Sequence, residues 1–109
     1  MQTISIVLLF IFLAPISATA AQIFGTLKEA DQPLPAGVKV ETICDGTPYH
    51  GETDSYGAYS VFVDAKGKCV FTVRYKGQAV THDIFSYDNP IRYDFTLVQQ
   101  NGQYVLKRQ

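Results

Sequence analysis

Thr53-Asp54-Ser55-Tyr56-Gly57-Ala58-Tyr59-Ser60-Val61-Phe62-Val63 reads as a tight turn that opens a half-buried strand. Asp54 can bond its own backbone two residues on, and Gly57 can take a positive φ without a Cβ clash. Beyond the turn the pattern has period 2. Tyr59, Val61 and Val63 share one side, and Ser60 and Phe62 share the other.

Working outward, the same alternation recurs in short runs. Gln22 to Leu27 forms a first strand. Lys28 to Pro35 is turn material, because Pro33 and Pro35 cannot donate to a ladder. From Gly37 to Cys44, Val38, Val40, Thr42 and Cys44 fall on one face. Tyr49 to Thr53 is a short, weak strand. In Lys68 to Tyr75, Cys69, Phe71, Val73 and Tyr75 share a face. Gln78 to Phe85 can form another strand, of ambiguous phase. Ile91 to Val98 reads as one continuous strand with Ile91, Tyr93, Phe95 and Leu97 in phase. Asn101-Gly102, between two strand-like runs, is the strongest hairpin signal and sets Leu97 opposite Leu106 and Val98 opposite Val105. No stretch carries a sustained helical period, so the spacing of strands and turns predicts an all-β sandwich or barrel.

The motif Thr53-Asp54-x-x-Gly57-x-Tyr59, with Gly25-Thr26-Leu27 and Pro33-Leu34-Pro35-Ala36-Gly37-Val38 before it, resembles the carboxypeptidase-regulatory-like domains. The resemblance covers Gln22 to Leu97. It implies a small seven-stranded Greek-key sandwich of the transthyretin (prealbumin) type, here with a C-terminal hairpin added. It gives Thr53, Asp54, Gly57 and Tyr59 a structural role.

The first residues are read separately. Ile4 to Ala14 is an apolar run, Pro15 breaks it, and Ala18-Thr19-Ala20 supplies small residues for cleavage. The run is shorter than the ~20 residues a spanning helix needs. Residues 1–20 are therefore expected to be a signal peptide and 22–109 the domain, with no membrane span after cleavage and a secreted or periplasmic destination. Removing 20 of the 109 residues leaves 89, a small domain with a limited core.

Export gives Cys44 and Cys69 an oxidising setting, and both lie on the apolar side of their strands. They are expected to form a disulfide; the alternative is two reduced buried thiols. The closed loop of about 26 residues is worth roughly 3.5 kcal/mol in the chain-entropy treatment.

Chemistry is sparse. A net charge of −1 argues against nucleic-acid binding. No Cys-x-x-Cys, His-x-His or Asp-x-Asp-x-Asp-Gly pattern occurs, so neither a metal nor another cofactor is expected. Intradiol dioxygenases share the turn motif but need His-x-His, and this chain has only His50 and His82. Hydroxyisourate hydrolases end in Tyr-Arg-Gly-Ser, whereas this chain ends Lys107-Arg108-Gln109. Ser55, Ser60 and Ser86 lack the context of an activated nucleophile. The expectation is an exported, non-catalytic module, binding or structural, with a protein, envelope or glycan partner. The alternative is a small secreted enzyme with a site assembled from loops. The loop Phe85 to Pro90 with Ile91-Arg92-Tyr93 offers Tyr87, Asn89 and Arg92 as a recognition surface. In the competing reading, Tyr87 packs over the core and Arg92 pairs with a carboxylate.

Overall fold

A computed structural model describes residues 21–109. The expected signal peptide, residues 1–20, lies outside them. The described residues contain ten strands and no helix. They are β1 (Ala21–Glu29), β2 (Gln32–Pro33), β3 (Lys39–Cys44), β4 (Thr47–Glu52), β5 (Ala58–Val63), β6 (Gly67–Tyr75), β7 (Gln78–Ser86), β8 (Ile91–Arg92), β9 (Phe95–Gln100) and β10 (Gln103–Arg108).

Two sheets face each other, one of six strands and one of four. In the larger sheet β1 is the hub. One side of β1 pairs antiparallel with β5 and then with β2; the other pairs parallel with β8 and then with β9, and β10 closes the row. The smaller sheet runs β4-β3-β6-β7, all antiparallel. Chain neighbours β4 and β5 thus sit in different sheets, as a Greek-key path requires.

Alternation puts the core where the apolar phase directed it. Ile23, Leu27, Val40, Tyr59, Val61, Val63, Phe71, Val73, Phe95 and Leu97 are all buried between the sheets. The ambiguous strand resolves with Val80 and Ile84 inward. The Asn101-Gly102 hairpin has the expected register, Leu97 opposite Leu106 and Val98 opposite Val105. Asn101 and Gly102 have φ of 54° and 81°, the pair of positive values a type I′ turn needs.

Cys44 and Cys69 are directly opposite each other across β3 and β6, with Cα atoms 4.4 Å apart, and their sulfurs are bonded. That spacing belongs to the close, non-hydrogen-bonded pairs of an antiparallel ladder.

The strand count departs from the expected seven plus a hairpin at two places. Gln32–Pro33 forms a two-residue rung on β1 because Leu34 N–H returns to Leu27 C=O at 3.0 Å. The run 91–98 is two strands, β8 and β9, broken at Tyr93-Asp94. The cause lies on β1. A Cβ at Gly25 would sit 1.9 Å from the Tyr93 carbonyl oxygen, so the missing side chain is the space that carbonyl fills. Asp94 Oδ1 then accepts the Thr26 N–H at 2.8 Å, in place of a ladder carbonyl.

The two seams between the sheets are closed differently. On one side β4 meets β5, where an added Cβ at Gly51 would come within 2.6 Å of the Ser60 carbonyl. On the other side side chains join β7 to the larger sheet. Gln78 Oε1 accepts the Tyr104 N–H at 2.8 Å, and Gln78 Nε2 donates to Gly102 C=O at 3.3 Å. Tyr93 Oη accepts the Phe85 N–H at 3.0 Å and donates to Phe85 C=O at 3.1 Å.

Candidate functional site

The turn motif is saturated with internal bonds. Asp54 Oδ1 accepts from Tyr56 N at 2.8 Å and from Ala58 N at 3.0 Å. Gly57 has φ 74°, and a Cβ there would meet the Leu27 carbonyl at 2.6 Å. Thr53 Oγ1 accepts from Val38 N at 3.0 Å and donates to Pro35 C=O at 2.6 Å. The Tyr59 hydroxyl, deep in the core, donates to Tyr93 C=O at 2.7 Å. Burial pushes its pKa far up, with nearby Asp94 adding to the effect, so it stays a donor. These four residues fix β5 against β1 and the Leu34–Val38 segment.

The loop after β7 differs. Tyr87 is 51% exposed and Phe85 47% exposed, their rings 6.4 Å apart and 24° from parallel. Tyr87 therefore lies on the surface and does not cover the core. Asn89 and Pro90 are exposed beside it. The end of β7 that leads into the loop is anchored from below: Tyr93 Oη grips both main-chain groups of Phe85, and Ser86 Oγ donates to Ala65 C=O at 2.8 Å. Lys66 and Asp88 pair across its outer side at 3.3 Å.

Arg92 does pair with a carboxylate. Its Nε lies 2.8 Å from Asp94 Oδ2, and its guanidinium carbon is 5.8 Å from the centre of the Phe24 ring. Burial raises the Asp94 pKa, but hydrogen bonds from Arg92 and Thr26 outweigh it and hold the carboxyl below its usual range. Arg92 is thus the foot of the loop, while Tyr87 and Asn89 form its exposed tip.

The two histidines stand apart, on the opposite edge strands β4 and β7 of the smaller sheet. His50 is exposed and faces Glu41 at 3.7 Å. His82 lies 4.9 Å from the Phe95 ring, with Nδ1 on the Asp83 carbonyl. No group of three His, Cys, Asp or Glu able to hold a metal occurs among the described residues. Surface clefts of about 470 and 390 Å³ lie over Gln78–Tyr104 and over His50–Glu52, and neither includes a residue of the 85–92 loop.

No family model matches the chain, and no curated protein matches it. Among solved structures it is similar to a DUF3823 family protein from Parabacteroides merdae, at 12% identity and a TM-score of 0.55. That match covers 84% of this chain and 48% of the other, so the chain spans about half of its relative. A candidate cell adhesion protein from Bacteroides fragilis aligns over 99% of this chain and 48% of its own, at 14% identity and a TM-score of 0.45. A 9R-lipoxygenase from Cyanothece aligns over 72% of this chain and 16% of its own, at 16% identity and a TM-score of 0.45. The likeness is one of β-sandwich fold.

One polar cluster escaped the sequence. Glu29 accepts from Tyr104 Oη at 2.7 Å and Tyr75 Oη at 3.0 Å, with Lys76 Nζ at 3.6 Å. The two phenols, Tyr104 first, hold the Glu29 carboxyl below its usual range. The four residues come from β1, β6, the β6–β7 turn and β10, and no local spacing signals their meeting.

Proposed function

We propose that this chain is an exported, non-catalytic β-sandwich of the carboxypeptidase-regulatory-like kind that binds a partner through the loop carrying Tyr87 and Asn89. The observation that carries the proposal is the Phe85–Tyr87 pair, two half-exposed rings where β7 runs into the loop, with the strand end clamped from beneath at Phe85. A ring carried on a clamped strand end, as Phe85 is, loses little entropy on docking, so its exposed aromatic area goes into affinity. The Asp54-centred turn supports the kinship, since the internal bonds of Thr53, Asp54, Gly57 and Tyr59 give the motif a purely structural task. The Cys44–Cys69 bond supports a secreted or periplasmic setting.

The test is capture of partners from the native envelope by wild type, Tyr87→Ala and Asn89→Ala, each with an unchanged melt. Loss of the captured species in the variants is expected. Equal capture by all three overturns the assignment of the loop.

A further inference from the structure

Of the large apolar side chains exposed among the described residues, Phe62, Phe85 and Tyr87 gather at one end of the sandwich, and Tyr56 stands at the other. Phe62 is the next-to-last residue of β5, and its neighbours Val61 and Val63 are fully buried, so its ring points out from the larger sheet. Phe85 holds the same place in β7 between buried Ile84 and Ser86, so its ring points out from the smaller sheet. The two strands finish together. From Val63 the chain turns through Asp64-Ala65-Lys66 to Gly67, which pairs with Ser86, and Ser86 Oγ donates to Ala65 C=O at 2.8 Å. Tyr87 follows Ser86, its ring 6.4 Å from that of Phe85. Tyr56 precedes β5, beyond the Thr26–Ala58 pair at the far end of the ladder.

The chain enters the fold at this same end, since Ala21 opens β1 and pairs with Val63. The apolar run Ile4–Ala14 is joined to it by residues 15–20 alone, a reach of about 25 Å when fully extended. While that leader is uncut and held in a membrane, the part of the domain nearest the lipid is the end with the three rings. We propose that this end rests on the surface of a lipid bilayer, with Phe62, Phe85 and Tyr87 among the headgroups, the depth that aromatic side chains favour. The proposal rests on the loop reading above and gives the loop's partner a class. Rings on opposite faces of two stacked sheets, themselves about 10 Å apart, are met together by a broad flat partner. A peptide in a groove or along one edge meets one face only. The cations at this end do not call for an anionic partner. Lys66 pairs with Asp88 and Lys68 with Asp83, each at 3.3 Å, and Asp64 lies beside Lys66 in the same turn. Adhesion therefore comes from buried apolar area.

The experiment takes the exported protein, phosphatidylcholine vesicles, and vesicles of the same lipid brominated in its acyl chains. The chain has no Trp, so Phe62→Trp, Tyr87→Trp and Tyr56→Trp each supply a single fluorophore. All variants are matched to wild type in their melts. Wild type should float with the vesicles, and raising the salt should change binding little. Brominated lipid should quench Phe62→Trp and Tyr87→Trp and spare Tyr56→Trp. Phe62→Ser and Tyr87→Ser should each weaken binding about threefold or more, the scale of one ring withdrawn from the interface, whereas Tyr56→Ser should not. Failure of wild type to float, equal quenching at all three positions, or Phe62→Ser binding like wild type would each overturn the proposal. If vesicles are not bound while Tyr87→Ala still loses a protein captured from the envelope, the bilayer falls and the loop reading stands. If lipid quenches Phe62→Trp but not Tyr87→Trp, the three-ring surface falls, and the loop reading loses its lipid partner.

Discussion

The Thr53–Tyr59 turn and the Phe85–Arg92 loop both join strands in opposite sheets, yet they are built for opposite ends. In the turn, Thr53 and Tyr59 point their polar atoms into the protein, Asp54 folds its carboxylate onto the turn's own main chain, and Gly57 is pressed against the Leu27 carbonyl. Its exposed aromatic, Tyr56, stands outside these contacts. In the loop the polar grip comes from below, from Tyr93 and Ser86, and the aromatic pair faces solvent. A connection that spends its side chains on its own backbone holds a fold. One held by its neighbours has side chains left over for a partner.

The sharpest way to break this contrast is Gly57→Val. A Cβ would collide with the Leu27 carbonyl at 2.6 Å, and φ is 74°. The cost should exceed about 2 kcal/mol, combining strained backbone with a clash. Denaturant melts check it, and an unchanged midpoint would show that the turn is not under this constraint. Thr53→Val comes next. It keeps the shape and removes the hydroxyl that serves Val38 N and Pro35 C=O, in a residue only 4% exposed. A loss of about 1–3 kcal/mol follows from leaving a buried group unpaired.

How far could these contrasts be read from the sequence alone? Strand phase outside Gln78–Phe85, hairpin register and the inward cysteines were legible, because each depends on residues close together or on a period of two. The break at Tyr93-Asp94 was not. Gly25 and Tyr93 are far apart in the chain, and alternation runs through Ile91, Tyr93, Phe95 and Leu97 without a fault. The loop's aromatics were visible as residue types, but nothing local showed that Tyr87 would stay out while Tyr93 went in. The stacking of Arg108 on Tyr93 had no local signal either, since it joins β10 to the break between β8 and β9.

Acid should sharpen the contrast from the other side. Asp94, at the foot of the loop, has a lowered pKa in the folded chain. Its contribution to stability is fully present above the unfolded carboxyl value, ~3.9. That contribution is lost as pH falls through the lower folded value. Asp94→Asn should remove this part of the acid limb in melts taken below about pH 4. An unaltered limb would count against the pairing. The smallest effect is expected at the tip: Tyr87→Ala should change stability by no more than about 0.5 kcal/mol. A larger loss would mean that Tyr87 supports the fold after all.

At the β7 seam, Gln78 and Tyr93 stand where the main chain of a further strand would run. A second chain approaching here meets main-chain groups of Phe85, Tyr104 and Gly102 that are already bonded and must be freed before they can pair with it. Fibril-type growth needs bare edges, so two side chains act here as a brake on self-association. Fibrous assembly would then begin with the loss of one amide or one phenol, with the core still intact.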